Sequence, residues 1–256
     1  LIKYGGIKVE NIKKLVQLLA ESKDTMVLTG AGVSTESGIP DFRSPDTGLW
    51  SQMDPMELLS QSALSRNPAN FWTRSEPIFR EMSTAQPNPC HYALARLEEK
   101  GLIRGIVTQN IDSLHQLAGS KSVLEVHGHL RSAHCPGCGA HTDMLPLLDQ
   151  VAKGDSPPRC SCGGVFRPDV VLFGDPLPDA FHVAWQWASV CDLLLVVGSS
   201  LEVAPVCWLV PAASRLAIIN MGETQCDDMA EVLIRGKAGE ILTDLVKEAE
   251  GLQRQP

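Results

Sequence analysis

No run of apolar residues in this chain approaches the roughly 18 that a membrane-spanning helix needs. The longest candidate, Leu193–Val197, has only the length of a strand. Blocks of Lys or Arg are missing too, and the formal net charge is −8. Bulk electrostatic capture of nucleic acid or of an anionic membrane is thereby disfavoured, although a locally basic peptide would be welcome. The opening residues Leu1-Ile2-Lys3-Tyr4 have no secretory-signal architecture, and the lack of an initial Met is read as trimming or an incomplete start. There is no internal repeat and no low-complexity tract. Without a secretion signal, the eight cysteines read as thiolates of a reducing cytoplasm rather than as disulfides. A chain of 256 residues buries a core without such staples.

What is present is a regular alternation. Ile12, Leu15, Val16, Leu18 and Leu19 recur at helical spacing and predict a helix over Val9–Ser22. Thr25–Thr29 predicts a short buried strand stopped by Gly30-Ala31-Gly32, and Pro55–Met82 predicts short helices broken at Pro68 and Pro77. Helix His91–Lys100, strand Ile103–Thr108, a helix from Asp112 to Leu117 and strand Ser122–His127 follow. Beyond a cysteine-rich stretch come strand Val170–Phe173, helix Pro178–Ser189, strand Leu193–Val197, a helix near Val206–Ala213, strand Arg215–Asn220 and helix Ala238–Glu250. Strands alternating with helices predict an α/β fold, a Rossmann-like doubly wound parallel sheet.

The cysteine-rich stretch carries Cys135-x2-Cys138 and Cys160-x-Cys162, each pair in a glycine-rich turn. Four thiolates so arranged suit a tetrahedral zinc ion and leave no position for a substrate water, so the expected role is structural. His134 and His141 are rival ligands by proximity, but the complete thiolate set favours reading them as surface residues. Cys90, Cys191, Cys207 and Cys226 are expected to be ordinary packing or surface residues.

After the first strand, Gly30-Ala31-Gly32-Val33-Ser34-Thr35 has the position of a dinucleotide-binding turn, where glycines let backbone amides approach a pyrophosphate. Thr35 replaces the third glycine, and no acidic strand end follows about 20 residues on. A simple hydride-transfer enzyme is therefore disfavoured.

Gly30 to Ser44 (GAGVSTESGIPDFRS), Thr108-Gln109-Asn110-Ile111-Asp112, His127-Gly128, the cysteine pairs, Arg167 to Asp175 (RPDVVLFGD), Gly198-Ser199-Ser200-Leu201 and Asn220-Met221-Gly222 stand in this order across nearly the whole chain. In this the chain resembles the sirtuins, NAD-dependent protein-lysine deacylases. The resemblance implies a fold in three parts: a Rossmann-like NAD domain (1–43, 87–128 and 169–256), a helical insertion (44–86) and a zinc-ribbon module (129–168). It implies NAD as co-substrate, one structural zinc ion and acetylated-lysine proteins or peptides as substrates; the charge and hydropathy of the chain add no strong nucleic-acid signal and no membrane partner.

The resemblance also assigns residues. His127 would be the base that accepts a proton as a ribose hydroxyl attacks the imidate formed from the acyl oxygen. Asn110 would position the ribose and Asp112 would bond the nicotinamide carboxamide, though both residue types also suit a helix cap. Phe42 would shield the reactive carbon and Arg43 face the phosphates. Gly30, Ala31, Gly32, Thr35 and Gln109 would contact the cofactor, with Ile39 and Ile111 lining the nicotinamide pocket. Gly198, Ser199, Ser200, Asn220, Gly222 and Ala238 would hold phosphate, adenosine ribose and adenine. Val171 and Phe173 would wall the lysine tunnel, and Gly174, Asp175, Glu202 and Val203 would flank the peptide, which the family binds as an added strand. One branch of the family removes anionic acyl groups with a Tyr-x-x-Arg pair. Phe71–Ser75 is taken as the matching stretch, with Trp72 and Ser75 at those two places, so acetyl and other uncharged acyl groups are expected. Rival readings are an ADP-ribosyltransferase on the same scaffold, a non-catalytic NAD-binding module, and a zinc hydrolase, which the closed thiolate set opposes.

Overall fold

In the computed structural model, residues 2–41 and 55–251 are described; Phe42 and Arg43 lie outside them. Helix α1 (Ile2–Glu21) begins earlier than its apolar pattern predicted and buries Ile12, Leu15, Leu18 and Leu19. Strand β1 (Thr25–Thr29) is buried along its whole length, as a central parallel strand with both faces covered must be. Helices α2 (Pro55–Leu58), α3 (Gln61–Arg66) and α4 (Pro68–Thr84) follow.

Pro68 starts α4 at its first turn, where a missing N–H costs nothing. Pro77, expected to break the chain, lies inside α4 instead. Its ring is exposed, and so is Thr73, whose carbonyl would have received the missing N–H. Water can satisfy that carbonyl, while Phe71, Ser75, Phe79 and Met82 keep a continuous buried face at helical spacing.

Helix α5 (Pro89–Glu99), strand β2 (Gly105–Thr108), the one-turn helix α6 (Leu114–Leu117) and strand β3 (Val123–Glu125) come next. Then the chain leaves the main sheet. Strands β4 (Gly128–His134) and β5 (His141–Asp143), helix α7 (Met144–Ala152) and strand β6 (Arg167–Val170) form a separate antiparallel sheet in the order β5-β4-β6. This corrects the strand expected at Val170–Phe173. The regular strand ends at Val170 and belongs to the small sheet, because Gly128 in β4 lets Val170 pair closely beside it. Helix α8 (Asp179–Val190), strand β7 (Leu193–Val197), a 3₁₀ segment at Val206–Ala212, strand β8 (Leu216–Asn220), strand β9 (Val232–Arg235) and helix α9 (Ala238–Glu248) complete the chain.

The main sheet is parallel throughout, in the order β3-β2-β1-β7-β8-β9. Chain order reverses between β1 and β7, and the crevice at the carboxyl ends of those two strands is where such sheets bind ligands. Three clusters of buried apolar side chains build the molecule. One joins α1, α5 and α9 to one face of the sheet, and another joins α8 and the 3₁₀ segment to the other face. The third joins α4 to the small sheet and α7 through Phe71, Trp72, Phe79, Leu147, Leu148 and Phe166.

Candidate active site and metal centre

The turn after β1 and the turn after β7 meet at the reversal point. Gly32 donates its N–H to the Gly198 carbonyl at 2.9 Å, and Gly30 to that of Val197 at 3.3 Å. A Cβ on Gly32 would stand 2.8 Å from the Gly198 oxygen, and one on Gly198, which is at φ 60°, would stand 2.5 Å from the Val33 nitrogen. Only glycine fits a backbone contact this close.

Around this contact lies a cleft of about 830 Å³. Every described residue among the sequence-derived cofactor and peptide candidates lines it, from Gly30 and Thr35 at one turn, through Gln109–Asp112 and His127, to Val171–Asp175, Gly198–Ser200, Glu202, Val203, Asn220 and Ala238. The volume is in the range of a cofactor-sized site.

Three polar side chains converge at its inner wall. Ser34, 1% exposed, donates its hydroxyl to Asp112 Oδ2 at 2.7 Å and accepts from Asn110 Nδ2 at 3.0 Å. Asp112 Oδ1 receives the Leu114 N–H at 2.9 Å, satisfying the first N–H of α6 from one residue before its N-cap Ser113, while its other oxygen serves the cleft wall. Burial pushes the Asp112 pKa up against the opposing hydrogen bonds from Leu114 and Ser34. Asn110 caps nothing by its side chain; its own N–H binds Thr108 Oγ1 at 3.1 Å.

His127 stands just before Gly128, at φ 75°, where a Cβ would fall 2.2 Å from the Asp169 oxygen. The Val171 N–H binds the His127 carbonyl at 2.8 Å, fixing the backbone at this crossing. On the ring, Nδ1 lies 2.9 Å from the Gln109 carbonyl. A carbonyl can only accept, so Nδ1 carries the proton and Nε2 keeps the lone pair of the neutral ring. Burial lowers the His127 pKa, partly offset by that carbonyl. Gln109 also reaches the other turn, donating Nε2 to Ser199 Oγ at 2.9 Å.

On the opposite wall the segment after β6 is tied to the helical insertion. Phe173 donates its N–H to the Leu59 carbonyl at 2.9 Å and accepts from the Gln61 N–H at 3.0 Å. The Asp175 carboxylate pairs with Arg167 and accepts the Leu172 N–H at 2.7 Å, so it braces its own loop. Trp72 and Ser75 do not reach the cleft. Trp72 is fully buried with its ring N–H on the Phe166 carbonyl at 3.0 Å, and Ser75 bonds the Phe71 carbonyl. The described insertion residues that do line the cleft are Leu59 and Met82.

Sequence reading also passed over Ser34, whose one signal was its place between Gly32 and Thr35 in a stretch otherwise assigned. Glu36 was missed for the same reason. Its Oε2 accepts the Gly239 N–H at 2.9 Å and so ties the turn to the start of α9.

In the small sheet the Sγ atoms of Cys135, Cys138, Cys160 and Cys162 all lie within 4.8 Å of one another. The closest pairs are Cys135–Cys162 at 3.5 Å and Cys138–Cys160 at 3.6 Å. Bonds of about 2.3 Å to a tetrahedral zinc ion would set sulfurs about 3.8 Å apart, so the residues fit that ion. The Cys162 N–H pulls the Cys160 pKa down, while against the Ala140 N–H the crowded neighbouring sulfurs push that of Cys138 up. His134 and His141 turn instead to Asp169, at 2.5 and 3.8 Å.

A doubly wound parallel sheet, a ligand cleft at its reversal point and a closed four-cysteine cluster in an inserted ribbon together define a nucleotide-binding frame with a thiolate metal site. The chain belongs to the Sir2 (sirtuin) family, which its residues 30–205 match. It is 52% identical over 234 residues to NAD-dependent protein deacetylase 2 of Caldanaerobacter subterraneus subsp. tengcongensis, covering 91% of this chain and 94% of that protein. A solved Sir2 complex with p53 peptide and NAD superposes with a TM-score of 0.85 at 38% identity, covering 93% of this chain and 98% of that one. Another, a Sir2 variant with deacetylated p53 peptide and 3′-O-acetyl-ADP-ribose, gives 0.88 at 37% identity, covering 94% and 99%.

Proposed function

We propose that this chain is an NAD-dependent protein-lysine deacetylase, which transfers the acyl group of an acetyl-lysine peptide to ADP-ribose and releases nicotinamide. The observation that carries the reading is the convergence of Ser34, Asn110, Asp112 and His127 on one cleft at the reversal point of the sheet. NAD, as co-substrate, supplies the glycosidic bond that is cleaved and the ribose hydroxyl that receives the acyl group.

The chain's own residues do the rest. The glycine turns at Gly30–Gly32 and Gly198 bring backbone close to the phosphates, and Ser199, Ser200, Asn220, Gly222 and Ala238 take the adenosine side. Thr35 and Gln109 complete the cofactor contacts. Asp112 and Asn110, held by Ser34, bind the carboxamide and ribose, with Ile39 and Ile111 walling the nicotinamide. Neutral His127, its tautomer set by the Gln109 carbonyl, accepts the ribose hydroxyl proton on Nε2. Val171 and Phe173 wall the lysine stem, while Gly174, Asp175, Glu202 and Val203 flank a peptide laid in as a strand.

Acetyl and other uncharged acyl groups are the favoured cargo. The described insertion residues of the lining, Leu59 and Met82, are apolar, and Lys237, next to Ala238, is the one Lys or Arg among the described residues of the cleft. The divisions at 44–86 and 129–168 mark the insertion and the ribbon, whose zinc ion is held by Cys135, Cys138, Cys160 and Cys162 in a structural role. Among the described residues no helix is long and apolar enough to cross a membrane, and we place the enzyme in the cytoplasm, where its thiolates stay reduced.

The test is nicotinamide release from NAD with and without an acetyl-lysine peptide, for the wild type and His127→Ala. Peptide-dependent release matched by deacetylation, and lost in the variant, is the expected result. Release that needs no peptide would favour ADP-ribosyl transfer, and no release with any acyl peptide would leave a binding module.

A further inference from the structure

The turn after β1 consists of two consecutive 3₁₀ turns, Ala31–Val33 and Thr35–Ser37, joined at Ser34. Each closes with i→i+3 bonds only, such as Ser34 N to Ala31 O at 3.0 Å and Gly38 N to Thr35 O at 3.1 Å. Segments this short do not hold their shape without outside contacts. Their front faces the cleft through Ala31, Ser34, Thr35 and Glu36.

Behind them stands Asn88, 5% exposed, at the N-cap of α5 and outside the cleft lining. Its Nδ2 donates to the Val33 carbonyl at 2.8 Å and to Ser37 Oγ at 2.9 Å, one bond to each turn. Its Oδ1 accepts the Cys90 N–H at 2.9 Å, and its own N–H binds His91 Nδ1 at 3.2 Å. Asn88 is therefore anchored on α5, whose Leu94 and Leu97 are fully buried.

We propose that Asn88 is a positioning residue for the nucleotide turn: its amide staples the two 3₁₀ turns in the mutual orientation NAD requires, from behind and without touching substrate. The inference rests on the reading of the cleft as an NAD site. Capping alone does not call for asparagine, since Ser or Asp caps a helix as well. Only a short amide offers an acceptor to the helix and two N–H donors to the turns at once. An ionised Asp has no donor and a Ser has one. The geometry uses both donors on different turns, and a cap has no need of either.

Asn88→Ser keeps the cap acceptor and removes the two amide N–H donors that reach the turns. NAD affinity by calorimetry, KM for NAD, KM for an acetyl-lysine peptide, and Tm are measured on the full chain. The expected result is an NAD Kd and KM about tenfold higher, as two ordinary hydrogen bonds imply, with the peptide KM within about twofold and kcat little changed. Ser37→Ala, which leaves α5 and its cap intact, should raise the NAD KM about threefold and leave Tm unmoved. Added to Asn88→Ser it should do nothing more, because its partner is already gone. Wild-type NAD affinity in Asn88→Ser, an equal loss for NAD and peptide, or additive effects in the double variant would each overturn the proposal. If Asn88→Ser does not fold, unchanged NAD affinity in Ser37→Ala overturns it alone. A wild type that binds NAD without deacetylating refutes the proposed function, while calorimetry still decides on Asn88. A folded wild type that binds no NAD overturns both.

Discussion

Replacing Ser34 by Ala removes one hydroxyl and leaves two buried groups without a partner. Asp112 Oδ2 loses a donor at 2.7 Å, and Asn110 Nδ2 loses an acceptor at 3.0 Å. All three residues are less than a tenth exposed, so water does not readily replace the hydroxyl. A hydrogen bond to a charged group is worth roughly 1.5–3 kcal/mol. If the bond persists to the transition state, kcat/KM for NAD should fall roughly ten- to hundredfold. The sign of a second effect also follows. Burial already raises the Asp112 pKa and the Ser34 hydroxyl opposes it. Without that hydroxyl the pKa rises further, and the acid limb of the rate profile should move to higher pH. The assay is peptide-dependent nicotinamide release at several pH values between about 5 and 8, the span in which perturbed carboxylates and histidines titrate, with Tm measured in parallel. A variant within twofold of wild type, with an unmoved acid limb, would refute the reasoning, because Asn110 and Asp112 would then be held by something else.

In the wild type, burial keeps the His127 pKa below its ordinary 6.5, so any inflection due to this base should fall below pH 6.5 in kcat/KM; one clearly above it would mean a charged or differently placed imidazole. Chelation of zinc, or Cys160→Ser, should lower Tm and cut activity more than about tenfold, since the ribbon shares its apolar cluster with Met82 and Ile39 of the cleft; a chelated protein that stays folded and fully active would remove zinc from the account. Acid should destabilise the fold through His91, whose burial lowers its pKa to about 4. The unfolded chain takes up that proton below about pH 6.5 while the folded one does not. Stability is therefore full above 6.5 and declines as pH falls toward 4, by about 3 kcal/mol for this group. Urea midpoints at pH 7 and pH 5 should differ less in His91→Gln than in wild type, and an equal difference would show that other groups dominate.

The parts of the fold legible in the sequence are those whose signal is local. Thr25–Thr29 and Leu193–Val197 are central strands, apolar on both faces, and their bounds in the sheet are those their composition predicts. Where neighbours decide, the pattern misleads. Pro77 sits inside a helix because its exposed face tolerates it. Val170–Phe173 looks like a strand, yet its partners are Leu59 and Gln61 on one side and His127 on the other, which no local period reveals. Strand β9 was not foreseen because four residues between turns give too short a pattern. Helix α7 was hidden inside a stretch read for its cysteines. At the site, motif residues announce themselves by type and order, whereas Ser34, Glu36 and Asn88 act by reaching another segment. Asn88 and Val33 are 55 positions apart, and only the folded chain brings them together.

The three apolar clusters have a mechanical consequence for the cleft. Its walls draw Ile219 from the cluster beneath α5 and α9, Ile39, Met82 and Leu172 from the cluster shared with the ribbon, and Leu177 from the edge of the third. Two of these clusters lie on opposite faces of one hydrogen-bonded sheet and form a single body, so the cavity follows the seam between that body and the block built on α4 and the ribbon. Parting the blocks wets surfaces that already face the cavity and tears no continuous core. The aperture can change width by rigid displacement of whole blocks, much as a vice opens without deforming its jaws, and two substrates of different length can enter and leave the same fissure.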